Sequence, residues 1–389
     1  MRMLLLKLNH TISDLIDHGS EVNPGLIILG NIGHQLYYVK YDERNNTTDD
    51  DHKGQCIPKT LGLGDHSLNR TQGMSKSSLV GSCNGLICLA ELNIKRGLRD
   101  LIHICNPIIR ECLYLPRCNE NIEYYDVGSS ILGGFGYIYQ TNEYKVVRIL
   151  YNDCSERGNL QVYTLGGGGG GPGGGSGWRN RGVIRRKLSA EHGVFANGSI
   201  HWLSFKGKDI MAFNLSDEKF HVLPMPPVLE SNWKYNSVLE SFGEWLCVNA
   251  CGSTPSCLDI WTYKQTSSDK NIAALDNKDE TWSWCKEFSI TLESSSYIWH
   301  YRPFAVTRRG LVLLKYKHSN HPAHESYPYA DTLFCYQPKT ATMKRLGIWG
   351  FFKATPHTNS LVSLEASEET TCKNRKCDEG LASLIPSKS

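Results

Sequence analysis

Three stretches of this chain can be laid over one another, and that repetition limits its fold more than any other feature. They are IHICNPIIRECLYLP (102–116), IMAFNLSDEKFHVLP (210–224) and TLFCYQPKTATMKRL (332–346). Each reads as an alternating strand, a turn rich in Asn, Pro, Asp or Lys, and a second strand. The first two place an Asn and a Pro ten positions apart, Asn106 to Pro116 and Asn214 to Pro224. In the third, Gln337 takes the Asn place and Leu346 aligns with Leu115 and Leu223. A glycine-led strand precedes each one: NGLICL (84–89), NGSIHWL (197–203) and RGLVLLK (309–315). Such a unit cannot bury its apolar face alone, so copies must stack on one another and the array must close or be capped.

A second kind of unit alternates with the first. LQVYTL (160–165) leads through a loop to Trp178-Arg179, and LDIWTYK (258–264) leads through a loop to WSWCKEFSI (282–290). Both read as outer hairpins whose second strand opens on tryptophan. Elsewhere the apolar runs are short and rich in β-branched and aromatic residues, as in GLIILG (25–30), QLYYVKY (35–41) and YKVVRILY (144–151), and helix signals are scarce. The expectation is an all-β fold: a β-propeller-like domain of about six short antiparallel sheets over residues 23–365. A short N-terminal segment (1–22) precedes it, and a charged, Ser-rich tail (366–389) is expected to be disordered. The strand near 359–364 is expected to pair with the N-terminal one and close the ring. The run GGGGGGPGGGSG (166–177) is read as a flexible hairpin loop, because a phosphate-binding loop would end in Lys-Ser/Thr at a helix and here Trp178-Arg179 follows.

The candidate chemistry is sparse. GSCNGLICL (81–89) has the outline of a nucleophile elbow with Cys83 in the nucleophile's place, which makes a cysteine hydrolase one alternative. An elbow joins a strand to a helix, whereas LICLAEL alternates as a strand, and Ala196 fills the same slot in the second repeat. The simpler reading is a hairpin turn at Asn84-Gly85. His318, His321 and His324 stand at H-x₂-H-x₂-H in a polar stretch broken by Pro322, with no cysteine beside them to complete a zinc site. Cys247, Cys251 and Cys257, and the pair Cys372 and Cys377, lack C-x-x-C spacing, so neither metal nor other cofactor is expected.

With Lys plus Arg at 42 against 39 Asp plus Glu, no electrostatic pull toward nucleic acid or anionic membrane is expected. The N-terminal apolar run stops at Lys7, too soon for a secretory segment, and no stretch reaches membrane-spanning length. Cytoplasm or nucleus is the expected location. There the 14 cysteines, among them Cys105, Cys112, Cys247 and Cys335, should be buried thiols acting as small hydrophobes. Trp178, Trp202, Trp245, Trp261, Trp282 and Trp284 are expected to pack between sheets.

Taken in order, NPGLIILG…LYYVKYD (23–42), SLVGSCNGLICL (78–89), ICNPIIRECLYLP (104–116), GFGYIYQTNEYKVVRI (134–149), GVFANGSIHWL (193–203), DIMAFNLSDEKFHVLPMP (209–226) and PHTNSLVSL (356–364) resemble one family. It is the plant F-box proteins with a kelch-like, F-box-associated interaction domain. The resemblance implies the substrate-recognition, protein-binding module of an SCF-type, cullin-based E3 ubiquitin ligase adaptor: not an enzyme, but the part that selects the target protein. Residues 1–22, with KLNHTISDLI, resemble the segment that follows an F-box in that family, so the chain is expected to lack the F-box itself, as a truncated or F-box-less adaptor would. The Skp-type linker and the cullin are therefore expected as partners only where an F-box is supplied. The other binding alternative is a propeller that takes a glycan or small ligand. No residue is assigned to the target-binding surface from sequence.

Overall fold

In the computed structural model the described residues are 25–30, 36–39, 59–60, 75–93, 101–116, 130–152, 155–166, 177–189, 191–205, 209–227, 238–251, 257–266, 281–291, 300–307, 310–316, 331–350 and 352–364. The segment 1–22, the tail 366–389, residues 167–176 of the glycine run, His318, His321, His324, Cys372 and Cys377 lie outside them.

The described strands form six four-stranded antiparallel sheets. Blade one contains Gly25–Gly30 (β1), Leu36–Val39 (β2) and Lys59–Thr60 (β3). Blade two is Ser75–Cys83 (β4), Leu86–Asn93 (β5), Leu101–Asn106 (β6) and Glu111–Tyr114 (β7). Blade three is Ser130–Ile138 (β8), Glu143–Tyr151 (β9), Gly158–Gly166 (β10) and Arg179–Ile184 (β11). Blade four is Val194–Ala196 (β12), Ser199–Leu203 (β13), Asp209–Asn214 (β14) and Lys219–Pro224 (β15). Blade five is Val238–Phe242 (β16), Trp245–Cys251 (β17), Cys257–Thr266 (β18) and Thr281–Thr291 (β19). Blade six is Tyr301–Val306 (β20), Val312–Tyr316 (β21), Asp331–Gln337 (β22) and Thr342–Gly350 (β23). The last strand, Phe352–His357 (β24), returns to pair with β1, from Gly25↔His357 to Gly30↔Phe352, and completes blade one from the far end of the chain.

The innermost strands β24, β4, β8, β12, β16 and β20 each touch the next, and β20 touches β24, so the ring is closed. It is a six-bladed β-propeller. The closing strand lies at 352–357, not at 359–364 as the sequence suggested. Residues 358–364 instead leave the sheet and run as a strap over blade two.

Six apolar clusters hold the ring, one in each seam between neighbouring blades. Leu86, Ile104, Phe135 and Val146 lie between blades two and three, and Val147, Ile149, Ile200 and Phe213 between three and four. Comparable clusters fill the other four seams. Each buried Leu, Ile, Val or Phe contributes roughly 1.5–3 kcal/mol. Because that burial lies between blades, no blade is stable by itself. The sequence repeats map onto this arrangement in alternation: the glycine-led unit builds blades two, four and six, and the tryptophan-opened hairpin builds blades three and five.

The repeated asparagines do the same work in the first two copies. Asn106 Oδ1 accepts from the backbone N–H of Ile108 at 3.0 Å, and Asn214 Oδ1 accepts from that of Ser216 at 2.8 Å, so both open side-chain-stabilised turns. Four residues on, Arg110, Glu218 and Ala341 take φ of 59°, 55° and 52°, the left-handed residue that returns the chain into the outer strand. The two tryptophans also share a partner. Trp178 Nε1 donates to Pro116 O at 2.8 Å and Trp284 Nε1 to Pro224 O at 2.9 Å, each tying its blade to the proline that ends the blade before.

Two expectations need correction. Cys105 and Cys112 are not free thiols. They stand directly opposite across β6 and β7, with Cα atoms 4.2 Å apart, and form a disulfide. Reading cysteines one at a time misses this, because the turn register brings the two together. Cys83, Cys88, Cys247 and Cys335 are buried thiols outside any disulfide, as expected. The tryptophans also divide: Trp202 is buried and Trp178, Trp261 and Trp284 pack in seams, but Trp245 and Trp282 are 39% and 41% exposed.

Candidate functional site

The six inner strands converge at their C-terminal ends on a depression of about 860 Å³ at one mouth of the central channel. Its rim is made of the turns that join first to second strands. At Asn84-Gly85 the φ values are 44° and 82°, and at Asn197-Gly198 they are 49° and 70°, so both are two-residue turns with two left-handed residues. That is the turn whose twist suits a hairpin, and Asn-Gly is the dipeptide that tolerates it. Gly243 (φ 65°) starts the equivalent turn before Glu244 and Trp245.

This answers what GSCNGLICL is for. Cys83 ends β4, and the chain turns at once into β5, so the elbow is a hairpin. Cys83 is 8% exposed and burial drives its thiol well above the usual range, the opposite of an activated nucleophile. Gly85 has a second duty: a Cβ there would run into the side chain of Ser360 in the strap. The strap is held by blade two. Asn106 Nδ2 donates to Ser360 O at 3.0 Å and Val362 O at 2.8 Å, and Glu111 accepts from the Leu364 backbone N–H at 2.6 Å. Asn359 Nδ2 donates to Tyr38 Oη at 3.1 Å, which ties the strap to blade one as well.

Two serine–histidine pairs line the channel, and sequence reasoning missed both because they join residues more than a hundred positions apart. Near the mouth, Ser82 Oγ and His357 Nδ1 are 2.8 Å apart, and His357 Nε2 is buried without a hydrogen-bond partner. Toward the other end, Ser78 Oγ and His192 Nε2 are 2.7 Å apart. There the Gly133 N–H donates to His192 Nδ1 at 3.0 Å, which places the proton of the neutral ring on Nε2, pointing at the serine. Burial, with Lys353 assisting, holds His192 down to about 3, so the ring stays neutral. A base must offer its lone pair to the hydroxyl, and here that nitrogen already carries the proton. Lys353 Nζ also donates to Ser78 Oγ at 3.2 Å. The pair is a structural link between blades two, three and one.

Glu240 faces the same inner part of the channel. Burial, reinforced by Glu191, pushes its carboxyl up to about 8, against the pull of Arg302, Lys315 and Lys353. Arg302 in turn pairs with Glu191 at 3.2 Å.

The mouth itself is different in character. Its described lining residues are mostly hydroxyls, amides and apolar groups, such as Ser82, Asn84, Asn197, Ser241 and Thr307. Among them Glu244 alone carries a full charge, since burial holds His357 down to about 4 and it is neutral. Tyr139, on the blade-three turn, is 68% exposed and stands edge-on against Tyr137 at 4.8 Å. Beyond Glu244, the exposed Trp245 lies 6.4 Å from Trp282, which stacks on Tyr263 at 5.5 Å. Aromatic side chains presented around an open concavity are the usual anchors of protein recognition. The sequence signal available for Tyr139, Glu244 and Trp245 was their position at or beside first-to-second-strand turns, legible only once the blades are counted.

The family comparison agrees with this architecture. The family described as the F-box associated beta propeller domain matches residues 47–367. The chain is similar to an F-box protein of Arabidopsis thaliana, at 25% identity over 337 residues, covering 76% of this chain and 72% of that protein. It is also similar to an F-box/kelch-repeat protein of Arabidopsis thaliana, at 22% identity over 253 residues, covering 63% of this chain and 60% of the relative. Among solved structures, a chain of a nidogen/laminin complex aligns over 85% of this chain and 98% of its own length, at 11% identity and a TM-score of 0.42.

Proposed function

The chain belongs to the F-box associated β-propeller family, and on that premise we propose that it is the target-recognition part of an SCF-type ubiquitin-ligase adaptor. Its task is binding: a target protein sits at the mouth of the ring, and a cullin-based ligase supplies the chemistry. Where an F-box is supplied, it docks the adaptor on a Skp-type linker, and the complex works in the cytoplasm or nucleus. The observation that carries the reading is the mouth itself, an open depression lined by the exposed Tyr139, with the exposed Trp245 just beyond Glu244, on a ring that closure holds rigid.

The test is affinity capture of the tagged chain from plant lysate, in parallel with a Tyr139→Ala/Trp245→Ala variant of unchanged thermal stability. Blots for the Skp-type linker and the cullin accompany both captures. The expected result is a set of proteins retained by the parent chain, lost with the rim variant and carrying ubiquitin. A captured set indifferent to both rim substitutions would overturn the assignment of the mouth as the recognition surface.

A further inference from the structure

The chemistry of the mouth also specifies what it can hold, and this deepens the recognition reading and rests on it. Three neighbouring turns form one recess. Tyr139 stands on the blade-three side, Glu244 on the blade-five side, and Asn197-Gly198 of blade four lies between them. The recess is pre-arranged. Asn197 N–H donates to Glu244 O at 3.1 Å, locking the blade-five turn to the blade-four turn. Tyr137 Oη donates to Asn142 Oδ1, which steadies the ring that Tyr139 leans on. The turns are open: apart from their chain neighbours, no atom lies within 4 Å of where a Cβ of Gly198 or Gly243 would be.

The Glu244 carboxylate is exposed and makes no ion pair or hydrogen bond among the described residues. It lines the same depression as Tyr139, whose phenol is held above its ordinary range by burial first and then by Cys83, Glu244 and Tyr137. A free carboxylate sharing an otherwise uncharged recess with an exposed aromatic ring suits a cation. The ring's negative face attracts it, and the carboxylate gives it a charge-assisted hydrogen bond. An anionic side chain in the same recess would meet Glu244 with no cation among the described lining residues to offset it.

We propose that the mouth accepts a lysine or arginine side chain of the target between Tyr139 and Glu244, over the Asn197-Gly198 turn. The recognised element is then a basic segment of the target protein, with its flanking residues on the hydroxyls and amides of the mouth and on Trp245. Arginine fits best, because its planar guanidinium stacks on a ring and forks to a carboxylate at once.

Panning a display library of short random peptides on the full chain tests this, alongside Glu244→Gln, Glu244→Lys and Tyr139→Ala variants of matched thermal stability. The expected outcome is enrichment of peptides that share an Arg or Lys. Their affinity should drop about two- to fivefold on Glu244→Gln, the loss expected for one exposed charge pair. Enrichment on Glu244→Lys should shift to acidic peptides. If enriched peptides depend on Tyr139 but carry no shared basic residue, or if Glu244→Lys keeps the basic ones, the cation proposal is wrong while the mouth remains the recognition surface. If no peptide is enriched, or none is sensitive to any rim substitution, the proposal and the recognition reading fall together.

Discussion

Gly134 offers a sharp test of how the blades are fitted. It lies in the middle of β8, pressed against Ile200 and Trp202 of blade four, which are 0% and 1% exposed. A Cβ at this position would come 2.6 Å from Ile200 Cγ2, and 3.0 Å from Ile200 Cδ1 and from Trp202 Cζ2. Non-bonded carbons settle near 3.5–4.0 Å, so Gly134→Ala must open the seam by roughly 1 Å. Overpacking of this kind costs about 1–3 kcal/mol. Against it, the alanine narrows the unfolded ensemble and returns about 0.4–1 kcal/mol. A net destabilisation of about 1–2 kcal/mol follows, and at no more than about 2–4 °C per kcal/mol the Tm should fall by several degrees. Thermal and denaturant unfolding of the single variants and the pair with Ile200→Ala would measure it. Alone, Ile200→Ala leaves a cavity and costs about 2–5 kcal/mol. Together, the new methyl enters that cavity, so the double variant should be about 1–2 kcal/mol more stable than the sum of the singles. Strict additivity, or a neutral Gly134→Ala, would refute the close fit of blades three and four.

Other outcomes follow from the same structure. Burial holds His103, His201 and His357 down to about 4, while the unfolded chain titrates near 6.5. Stability from these residues is therefore complete above about 6.5 and lost as pH falls toward 4, about 2 kcal/mol per histidine by pH 5. Denaturant midpoints that stay flat from pH 7 to 5 would contradict their burial. The Cys105–Cys112 disulfide predicts two cysteines that become alkylated in the denatured chain only after reduction, and replacing both with serine should cost on the order of 2–3 kcal/mol. Trp178→Phe and Trp284→Phe should each cost about 1 kcal/mol by orphaning a proline carbonyl, and the two losses should add because they fall in different seams. A strongly non-additive pair would mean that the seams are coupled.

Much of the fold was legible because strand alternation and turn chemistry are local. β1 spans GLIILG as read, and Asn84-Gly85 and Asn197-Gly198 make the hairpins that their dipeptide demands. Other features depend on register between distant segments. Cys105 and Cys112 look like two isolated thiols until the turn between them sets them opposite each other. The closing strand was misplaced because PHTNSLVSL and the residues before it are equally strand-like, and only the pairing of His357 with Gly25 separates sheet from strap. The site was least legible of all. Tyr139 and Glu244 are 105 positions apart (244 minus 139) and line one depression only because ring closure brings the inner strands of blades three, four and five around the same mouth.

From the chain alone came the class of fold, the repeat that imposes a ring, and the family, since each rests on patterns within a few tens of residues. The tertiary structure decided how the ring closes, which cysteines bond, which tryptophans face solvent, and that a lone carboxylate and a tyrosine share one recess. The physical reason is that a blade buries its apolar faces only against its neighbours. Which side chains remain at the mouth is therefore settled by closure, after every local preference has been met.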